Sequence, residues 1–385
     1  MTTTLRVIID PMIAPVPGGM GRYTEELTRA LIETAPDGCE VTAVVSRVPT
    51  NTAENLRTLL PGIADLIQMP LRRELTGMAW RHGLTSLPGT PLRDPGMIHS
   101  PSLLAPLQKR DRRGTAGNQT AVTIHDVLPW THPDTLPPGY ATWRRAMAER
   151  AWRYADAVVV PSHAVADELR TRFDFGDRIR VIGGAVSPKL ALPVDPDARA
   201  ERLGLPDHYI LCTGTIDPRK GVTALIEALS HPDAPPMPLV ITGPDSWRDY
   251  DLTKVAADAG LDPARLINLG FLTDADLAVT IDRAEVVVLP SQAEGFGLPV
   301  IEAFSLGTPV VHSDAPAIME VSAGAGLAVE HGTGDAYAGR LAAAIRSVIE
   351  DTDLATRLRY SGLDRAQAFS WRDSAEKVWQ LHADL

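Results

Sequence analysis

The fold is decided by residues 288–303, VLPSQAEGFGLPVIEA, in which a short apolar run ends and a glycine-rich loop leads into a helix-patterned segment. Pro299 suits the first helical position, because its missing N–H would have no intrahelical partner there. The unpaired N–H groups at such a helix start attract anions. The stretch therefore predicts a strand, a ligand-binding loop and a helix, which is the repeating unit of an α/β fold.

The same alternation continues along the chain and predicts parallel sheets covered by helices on both faces. The predicted strands are Leu5–Asp10, Val41–Ser46, Met97–His99, Ala121–Ile124, Ala157–Pro161, Ile179–Ile182, Tyr209–Thr213, Pro238–Thr242, Leu266–Leu269, Glu285–Pro290 and Thr308–His312. At 385 residues the chain exceeds what one hydrophobic core usually serves. We therefore expect two domains with a cleft.

The domain boundary is predicted near residue 188, because residues 183–206 are rich in Pro, Gly and Asp and lack strand periodicity. This gives an N-terminal domain of residues 1–187 and a C-terminal domain of residues 188–370. In residues 371–385, four apolar side chains at helical spacing predict a helix that buries one face against a folded domain. They are Ala375, Val378, Trp379 and Leu381.

The composition is that of a globular protein, with 44% hydrophobic and 22% charged residues and a net charge of −11. No apolar run approaches the roughly 18 residues needed to cross a bilayer, so no membrane span is expected. The first residues lack the features of a signal peptide, and we expect a cytoplasmic protein. Cys39 and Cys212 lie outside any zinc or redox spacing and should both be buried apolar residues.

Positive charge is concentrated in the first half of the chain. Residues 1–190 hold 22 Lys and Arg against 19 Asp and Glu, which leaves 15 against 29 in the remainder. Basic clusters lie at Arg72-Arg73, at residues 109–113 and at Arg144-Arg145. Two interpretations stay open: the charges are solvated on loops, or they meet an anionic membrane surface or a phosphorylated substrate.

A second glycine-rich loop, PGGMGRY at residues 17–23, follows the first strand and opens a helix. Gly18 and Gly19 would let the backbone approach a phosphate at that helix start, although such a turn also serves as a tight corner. The dinucleotide-binding pattern is not met, because Thr24 occupies the third glycine position and Ser46-Arg47 end the second strand without an acidic ribose ligand. NAD is therefore disfavoured.

Two further strands end in polar residues at the edge where ligands bind in such folds. His125, followed by Asp126, either hydrogen-bonds a ligand hydroxyl or only caps its strand. Arg219 and Lys220 suit a diphosphate, because one side chain can fork across oxygens and the other places a point charge. In the alternative they are merely solvated, but cations at a helix start oppose its dipole unless an anion is present.

Glu294 and Glu302 frame the loop of residues 288–303. Glu294 lies in the loop and Glu302 lies in the following helix, so one carboxylate can reach a sugar while the other binds the vicinal hydroxyls of a ribose. In the alternative interpretation, Glu302 only favours the helix dipole and Glu294 only closes a turn. The Gly-Phe-Gly between them favours the binding interpretation.

Four elements follow one another along the chain: the glycine-rich loop at 17–23, His125-Asp126, Arg219-Lys220 and the loop at 288–303. In this order they resemble the GT4-type family of retaining glycosyltransferases with the GT-B fold, and the likeness covers nearly the whole chain. The specific part is Glu294-Gly-Phe-Gly with Glu302, which is similar to the family's E-x7-E motif. The resemblance implies two Rossmann-like domains facing each other across a cleft, with the acceptor on the first, the donor on the second and a last helix that crosses back to the first. One departure is Gly214-Thr215, where many members have Gly-Arg; Arg219 is expected to supply that charge.

The resemblance also implies roles for individual residues. The catalytic candidates are His125, Glu294, Arg219 and Lys220. His125 is expected near the hydroxymethyl edge of the transferred sugar, Glu294 on its hydroxyls, and the two cations on the diphosphate. The donor-binding candidates are Gly18, Gly19, Gly295, Phe296, Gly297, Leu298, Val300, Glu302, Phe271 and Leu272. Glu302 should bind the ribose, Phe271-Leu272 should flank the base, and backbone N–H groups of residues 296–300 should face the sugar and phosphate.

The expected reaction moves a hexose from a nucleotide sugar to a hydroxyl of a glycan, a glycolipid or another glycoconjugate, with retention and without metal or bound cofactor. GDP-mannose is the preferred donor, because the His125-Asp126 and Pro218-Arg219-Lys220 variants resemble mannosyl and rhamnosyl transferases of polysaccharide assembly. UDP-glucose, UDP-GlcNAc and dTDP-rhamnose are the alternative donors. The alternative class is a nucleotide-sugar-binding homologue without transferase activity.

The remaining partner predictions concern metals, the acceptor and the membrane. Asp195-Pro-Asp197 and Asp274-Ala-Asp276 have the D-x-D form, but neither follows a strand at a ligand-binding edge, so no metal site is expected. The acceptor site is predicted on loops 71–95 and 103–118 of the N-terminal domain, for a glycan or a lipid-linked acceptor. The basic clusters suggest peripheral contact with the inner face of a membrane, and no nucleic-acid partner is expected.

Overall fold

The computed structural model describes residues 2–15, 18–85, 92, 96–109, 117–215, 217–244, 251–332 and 334–385. The chain divides into two units. The first comprises Met1–Gly184 together with Ser370–Leu385, and the second comprises Ala185–Phe369. The division at residue 184 falls where the composition changes toward Pro, Gly and Asp.

The first unit contains a parallel sheet of seven strands in the order β3-β2-β1-β4-β5-β6-β7. The strands are β1 Thr3–Ile8, β2 Cys39–Val45, β3 Asp65–Gln68, β4 Met97–Ser100, β5 Thr120–Thr123, β6 Ala157–Val160 and β7 Ile179–Val181. The helices are α1 Gly18–Glu33, α2 Thr50–Leu59, α3 Arg73–Arg81, α4 Leu128–Thr131, α5 Tyr140–Tyr154 and α6 His163–Arg170. Strands such as β6 are buried along their whole length, as expected for a parallel sheet covered on both faces.

The second unit contains a parallel sheet of six strands in the order β10-β9-β8-β11-β12-β13. The strands are β8 Ile210–Thr213, β9 Leu239–Thr242, β10 Leu266–Gly270, β11 Val286–Leu289, β12 Val310–Ser313 and β13 Leu327–Val329. The helices are α7 Pro196–Leu203, α8 Val222–Ser230, α9 Leu252–Ala259, α10 Asp274–Asp282, α11 Leu298–Ser305, α12 Pro316–Ser322, α13 Asp335–Glu350 and α14 Thr352–Ala366. Two apolar clusters built on these strands and helices form its core.

The last helix, α15 Trp371–Asp384, belongs to the first unit and packs on α1. The four residues predicted to form its apolar face are buried. Trp379 Nε1 donates a hydrogen bond to the Leu31 carbonyl at 3.2 Å, and Ser374 Oγ donates to the Gly183 carbonyl at 2.9 Å. The chain therefore returns to its first unit after completing the second.

Both sheets reverse their strand order beside their first strand, between β1 and β4 in the first unit and between β8 and β11 in the second. Loops that leave the carboxyl ends of the strands diverge at such a reversal and leave a crevice. Ligands of doubly wound α/β folds bind in this crevice. Each sheet therefore defines one position where a binding site is expected.

The structure confirms the predicted α/β class and all eleven predicted strands, to within a few residues at their ends. It corrects three expectations. The sheet-edge strands β3 and β13 were not predicted, α7 lies inside the segment predicted as an irregular linker, and Cys39 is only half-buried at the start of β2. Within the described ranges, no helix has both the length and the apolar character that a membrane span requires.

Candidate functional site

The loops that follow β8 and β11 are held together at the reversal point of the second sheet. The Gln292 N–H donates to the Arg219 carbonyl at 2.8 Å. Gly221 sits at φ +71°, and a Cβ added there would lie 2.2 Å from the Pro290 carbonyl oxygen. Only glycine fits both the backbone conformation and this close approach. The two loops thus form one rigid corner that positions the side chains between them.

Three of the four predicted catalytic residues meet at this corner. Lys220 Nζ donates to Glu294 Oε1 at 2.6 Å, and Arg219 Nη1 lies 3.3 Å from Glu294 Oε2. Arg219 also donates to the Ala293 carbonyl at 2.6 Å and pairs with Asp217 at 3.3 Å. The side chains of Arg219, Lys220 and Glu294 are only 10–13% exposed. Residues that were predicted separately, from two loops, thus form one partly buried cluster.

The charge state of Glu294 follows from its neighbours. Burial alone would raise the pKa of its carboxyl group, but Lys220 and Arg219 outweigh burial and hold the pKa at about 2. Glu294 is therefore ionised at neutral pH. With Asp217, the two carboxylates balance the two cations, so a ligand that brings negative charge needs additional donors.

Such donors are available at the start of α11. Its N-cap is Gly297 at φ +98°, with no side chain capping the first turn. Among the described residues, the N–H groups of Phe296, Gly297 and Leu298 donate to no other group. Val300 differs from the prediction, because its N–H donates to the Gly297 carbonyl at 2.9 Å and its side chain is fully buried. The anion-binding potential therefore lies in the loop and the first residue of the helix.

The second unit also contains the predicted donor-binding residues Gly295, Glu302, Phe271 and Leu272. Glu302 lies on α11 and is 4% exposed. Gly295 is half-buried in the loop between Glu294 and Phe296. Phe271, just after β10, is 76% exposed, whereas its neighbour Leu272 packs against the core. An exposed aromatic side chain at the carboxyl edge of the sheet is available to stack on a ligand.

His125 lies in the first unit, directly after β5. Its Nε2 is 2.8 Å from the Pro101 carbonyl, so Nε2 carries the proton and Nδ1 is left as an acceptor. Burial lowers the pKa of His125 against the opposing effects of the Pro101 carbonyl and Asp126, so the ring is neutral at neutral pH. The Tyr23 ring contacts the imidazole edge-to-face at 4.8 Å. The contact with the Pro101 carbonyl is the backbone bond expected of a strand-capping histidine, and it leaves Nδ1 as an acceptor, so both interpretations of His125 stay open.

The glycine-rich loop of the first unit is described in part. Pro17 lies outside the described residues. Gly18 begins α1 at φ +52°, and both Gly18 and Gly19 are exposed. Their exposure at a helix start agrees with an open approach for a ligand. Both glycines belong to the first unit, as His125 does, whereas the Glu294 cluster belongs to the second.

The residues of the basic clusters differ in their exposure. Arg144 is buried on α5, and its Nη1 pairs with Asp126 Oδ1 at 2.9 Å. Arg145 donates through Nε to the Pro129 carbonyl at 2.6 Å. These two arginines therefore hold α5 against the loop after β5; Arg144 is buried there, whereas Arg145 stays exposed to solvent. Of the other clusters, Arg72 is exposed, and residues 110–113 lie outside the described ranges.

The two D-x-D triplets have structural partners. Asp276 accepts from Arg199 at 2.8 Å and from Arg202 at 2.7 Å, which ties α7 to α10. Asp195 pairs with Arg199 at 2.8 Å. In the part of the chain that the structure describes, no group of three or more His, Cys, Asp and Glu side chains is arranged to hold a metal.

Asp10 is a site residue that the sequence analysis did not single out. It follows β1, is 1% exposed, and lines a cavity in the first unit together with His125 and Arg144. The signal that was available is its position, because a carboxylate at the carboxyl end of the first strand stands at the reversal point of the sheet.

Two family models match adjoining parts of the chain. Residues 17–190 match the model described as Glycosyltransferase Family 4, and residues 195–365 match the model described as Glycosyl transferases group 1. The two segments fall on the first and the second unit respectively. The chain belongs to the GT4-type glycosyltransferases with the GT-B fold, and it is an enzyme that transfers a glycosyl group.

Several curated relatives are similar over large parts of the chain. O-antigen chain mannosyltransferase B from Escherichia coli is 29% identical over 66% of this chain and 68% of its own length. D-inositol 3-phosphate glycosyltransferase from Jonesia denitrificans is 29% identical over 95% of this chain and 91% of its own length. The serotype-specific mannosyltransferase WbdA from Escherichia coli is 31% identical over 53% of this chain, and the match spans only 26% of WbdA.

Solved structures share the fold over the full length of the chain. Sucrose-phosphate synthase from Thermosynechococcus elongatus has a TM-score of 0.73 at 24% identity, and covers 99% of this chain and 98% of its own. HepE from Anabaena, in complex with UDP and glucose, has a TM-score of 0.72 at 18% identity and full coverage of both chains. At these identities the likeness establishes the fold alone.

Proposed function

We propose that the enzyme is a retaining hexosyltransferase whose nucleotide-sugar donor binds to the second unit, at the crevice between β8 and β11. The observation that carries this proposal is the cluster of Arg219, Lys220 and Glu294 beside the uncapped start of α11. Two cations and a helix N-terminus suit a diphosphate. A carboxylate held beside them suits the hydroxyl groups of a sugar.

In this proposal, the diphosphate accepts hydrogen bonds from Arg219, Lys220 and the free N–H groups around Gly297. Glu294 binds hydroxyls of the transferred sugar, Glu302 binds the ribose, and the exposed Phe271 covers the base. The preorganised cations stabilise the charge that develops on the departing diphosphate. The reaction is therefore proposed to need neither a metal nor a bound cofactor.

Retention is proposed to follow a same-face substitution, as the family resemblance implies. The bond between the sugar and the diphosphate breaks on the face where the bond to the acceptor oxygen forms, and the leaving phosphate takes the acceptor proton. The neutral His125, with Nδ1 as acceptor, is proposed to hold the hydroxymethyl edge of the sugar. Positioning and exclusion of water are then the main contributions of the protein.

The proposed donor is GDP-mannose. Its support is the mannosyltransferase activity named for the two relatives from Escherichia coli, together with the Pro218-Arg219-Lys220 and His125-Asp126 motifs. UDP-glucose, UDP-GlcNAc and dTDP-rhamnose are the competing donors. A uridine donor is supported by HepE, whose structure holds UDP and glucose.

The proposed acceptor is a hydroxyl of a glycan or of a lipid-linked glycan, bound by the first unit. Its support is the O-antigen chain in the name of the relative O-antigen chain mannosyltransferase B.

Peripheral membrane contact is proposed at α3, which exposes Leu75 and Met78 close to the exposed Arg72. An apolar strip beside a cation suits an anionic bilayer surface. Salt-sensitive binding to phosphatidylglycerol vesicles should weaken in the Leu75→Glu, Met78→Glu double variant, and equal binding by that variant would contradict the contact.

The transfer reaction can be tested by incubating the enzyme with each of the four donors and a panel of methyl glycosides, with and without EDTA. We expect GDP release and an α-linked product from GDP-mannose in both conditions, read by proton NMR of the anomeric signals. Lys220→Ala should slow transfer at least about 100-fold, while Glu201→Gln, on the exposed surface of α7, should not change it. A β-linked product, a requirement for metal, or no product from any donor would overturn the corresponding part of the proposal.

A further inference from the structure

The first unit contains a cavity at the reversal point of its sheet, where β1 and β4 diverge. Three strand ends contribute to it, through Asp10 after β1, Ser102 after β4 and His125 after β5. The remaining walls include apolar side chains from α1, α3 and the loop after β4, among them Met20, Met78, Leu103 and Leu104. A mostly apolar cavity with a few converging polar groups is the usual form of a small-molecule site.

One wall of this cavity is aromatic. The rings of Tyr140 and Trp143 on α5 are nearly parallel, at 6° and 5.9 Å between centroids. Trp143 is fixed by a hydrogen bond from Nε1 to the Gly77 carbonyl at 3.1 Å. A pyranose ring has an apolar face of C–H groups and a polar edge of hydroxyls. A cavity lined by both a fixed aromatic wall and polar strand ends matches those two sides of a sugar.

Asp10 is the polar group that the fold itself leaves incompletely used. Its Oδ2 accepts from the Ser46 N–H at 3.1 Å, while its Oδ1 has no hydrogen-bond partner among the described residues. Burying a carboxyl oxygen without a partner is unfavourable for folding. Burial also raises the pKa of Asp10 to about 6, against the lowering effects of Ser46 and Arg73. A hydroxyl of a bound ligand would supply the missing donor.

The charges around the cavity are balanced, which favours a neutral ligand. Arg144 is paired with Asp126, and Arg73 and Glu74 on α3 carry opposite charges beside Asp10. His125 is neutral at neutral pH, because burial lowers its pKa. No excess of positive charge in the described wall is left for a phosphate. The cavity therefore fits a sugar without a charged group better than a phosphorylated acceptor.

We propose that this cavity binds the terminal neutral sugar of the acceptor, with Asp10 Oδ1 accepting a hydrogen bond from one of its hydroxyls and Trp143 covering its C–H face. This inference rests on the proposed transferase function and names the chemistry of its acceptor. Asp10 acts as a binding and specificity-determining residue, and takes no part in bond breaking.

The test uses the full-length enzyme and binding of neutral methyl glycosides of mannose, glucose, galactose, rhamnose and N-acetylglucosamine, measured by saturation-transfer NMR and tryptophan fluorescence. We expect at least one glycoside to bind the wild type and to bind Asp10→Asn at least tenfold more weakly. In asparagine one of the two carboxyl oxygens is replaced by an NH2 group, which cannot accept a hydrogen bond from the Ser46 N–H or from the ligand hydroxyl. Asp156→Asn is the matched control, because Asp156 likewise accepts from a backbone N–H, that of Thr120 at 2.7 Å, but lies outside the cavity.

A second variant keeps the test independent of the behaviour of Asp10→Asn. Trp143→Ala should weaken the same glycoside and remove its fluorescence response, whereas Trp152→Ala, on the same helix but away from the cavity, should not. The pH profile adds a readout that a structural role would not move. Glycoside affinity of the wild type should fall as the pH drops through about 6, where Asp10 becomes protonated, and this limb should be absent in Asp10→Asn.

The outcomes separate this inference from the proposed function. GDP binding, measured on the same samples by thermal shift, reports the donor site and should be equal in the wild type and Asp10→Asn. If GDP binds while no glycoside does, or while Asp10→Asn binds glycosides as tightly as the wild type, the inference is overturned and the donor site stands. Preferential binding of myo-inositol 1-phosphate over every neutral glycoside would likewise overturn it. If no nucleotide binds the wild type, the proposed function itself has failed.

Discussion

Glu294 is the residue on which the charges of the second unit converge. It accepts from Lys220 and pairs with Arg219, and both cations come from a loop that precedes it by more than 70 residues. Because a carboxylate with two cationic partners is held in one orientation, it can present its remaining lone pairs to a sugar. The cluster is thus an ion network and, in the proposed function, also the surface that binds the sugar.

The Glu294→Gln variant should show this network through pH. Since the pKa of Glu294 falls from 4.5 to about 2 on folding, its contribution to stability is present above pH 4.5 and is lost as the pH falls toward 2. At pH 7 we expect the variant to lose about 3 kcal/mol of unfolding free energy. In urea titrations the difference from the wild type should shrink below pH 4.5. A difference that stays constant down to pH 3 would show that the ion network is not the cause.

Gly221 offers a second test at the level of one atom. Gly221→Ala would place a Cβ 2.2 Å from the Pro290 carbonyl at φ +71°, whereas Gly260→Ala meets nothing within 4 Å at φ +75°. Both variants carry the backbone strain of about 1 kcal/mol. Only Gly221→Ala should lose several kcal/mol more and also lose nucleotide binding. Equal melting temperatures for the two variants would contradict the close approach of the two loops.

The positions of the candidate site residues could be predicted from the sequence where a strand ends and a loop follows. This logic located Arg219, Lys220 and Glu294, because their positions after β8 and β11 place them at one sheet edge. It failed for Arg144, whose partner Asp126 is recognised only when α5 packs against the loop after β5. It also missed Asp10, because an isolated acidic residue after a strand has no motif around it.

Among the described elements, every central strand was predicted, but of the edge strands only β7 and β10 were. Central strands such as β6 and β11 are continuous apolar runs, because both of their faces are covered. The missed edge strands β3 and β13 are only four and three residues long and hold one buried residue each. The start and stop of α7 were visible as Pro196 and the C-cap Gly204, but the polar composition of the helix concealed its period.

The contact of α15 with the first sheet carries a pair of buried histidines that should respond to acid. His382 on α15 and His99 on β4 lie edge-to-face at 5.6 Å, and neither ring has a hydrogen-bond partner among the described residues. Burial lowers the pKa of His382 to about 4, and burial together with the neighbouring His382 lowers the pKa of His99 well below its usual value. Both rings therefore stay neutral in the folded protein.

The histidines of the unfolded chain take up protons near pH 6.5, whereas the buried rings do not, so acid favours unfolding. The stability that the two neutral rings allow is therefore fully present above pH 6.5 and is lost as the pH falls toward 4. His382→Leu should be within about 1.5 kcal/mol of the wild type at pH 7.5. Its relative stability should improve by about 2 kcal/mol at pH 5. The exposed His82→Leu in the same unit serves as control. The same relative stability of His382→Leu at both pH values would contradict the buried neutral pair.

At the scale of the whole molecule, each unit provides one reversal point and one set of polar groups at its crevice. The second unit holds the charged cluster suited to a diphosphate, and the first holds the balanced, aromatic-walled cavity suited to a neutral sugar. Each unit by itself therefore supports the proposed division of donor and acceptor between two doubly wound sheets. The length of the chain predicts two domains, whereas the candidate sites had to be located from individual loops.

If the crevice between β8 and β11 binds a nucleotide sugar, a matching nucleotide should raise the thermal stability of the enzyme. GDP, UDP, ADP and dTDP are each added to the wild type, to Glu302→Gln and to the surface control Glu201→Gln. We predict that GDP stabilises the wild type and the control by about 2.7 kcal/mol at 100-fold excess over Kd, and that the effect shrinks in Glu302→Gln. Stabilisation by none of the four nucleotides, or an equal effect in Glu302→Gln, would contradict the proposed donor site.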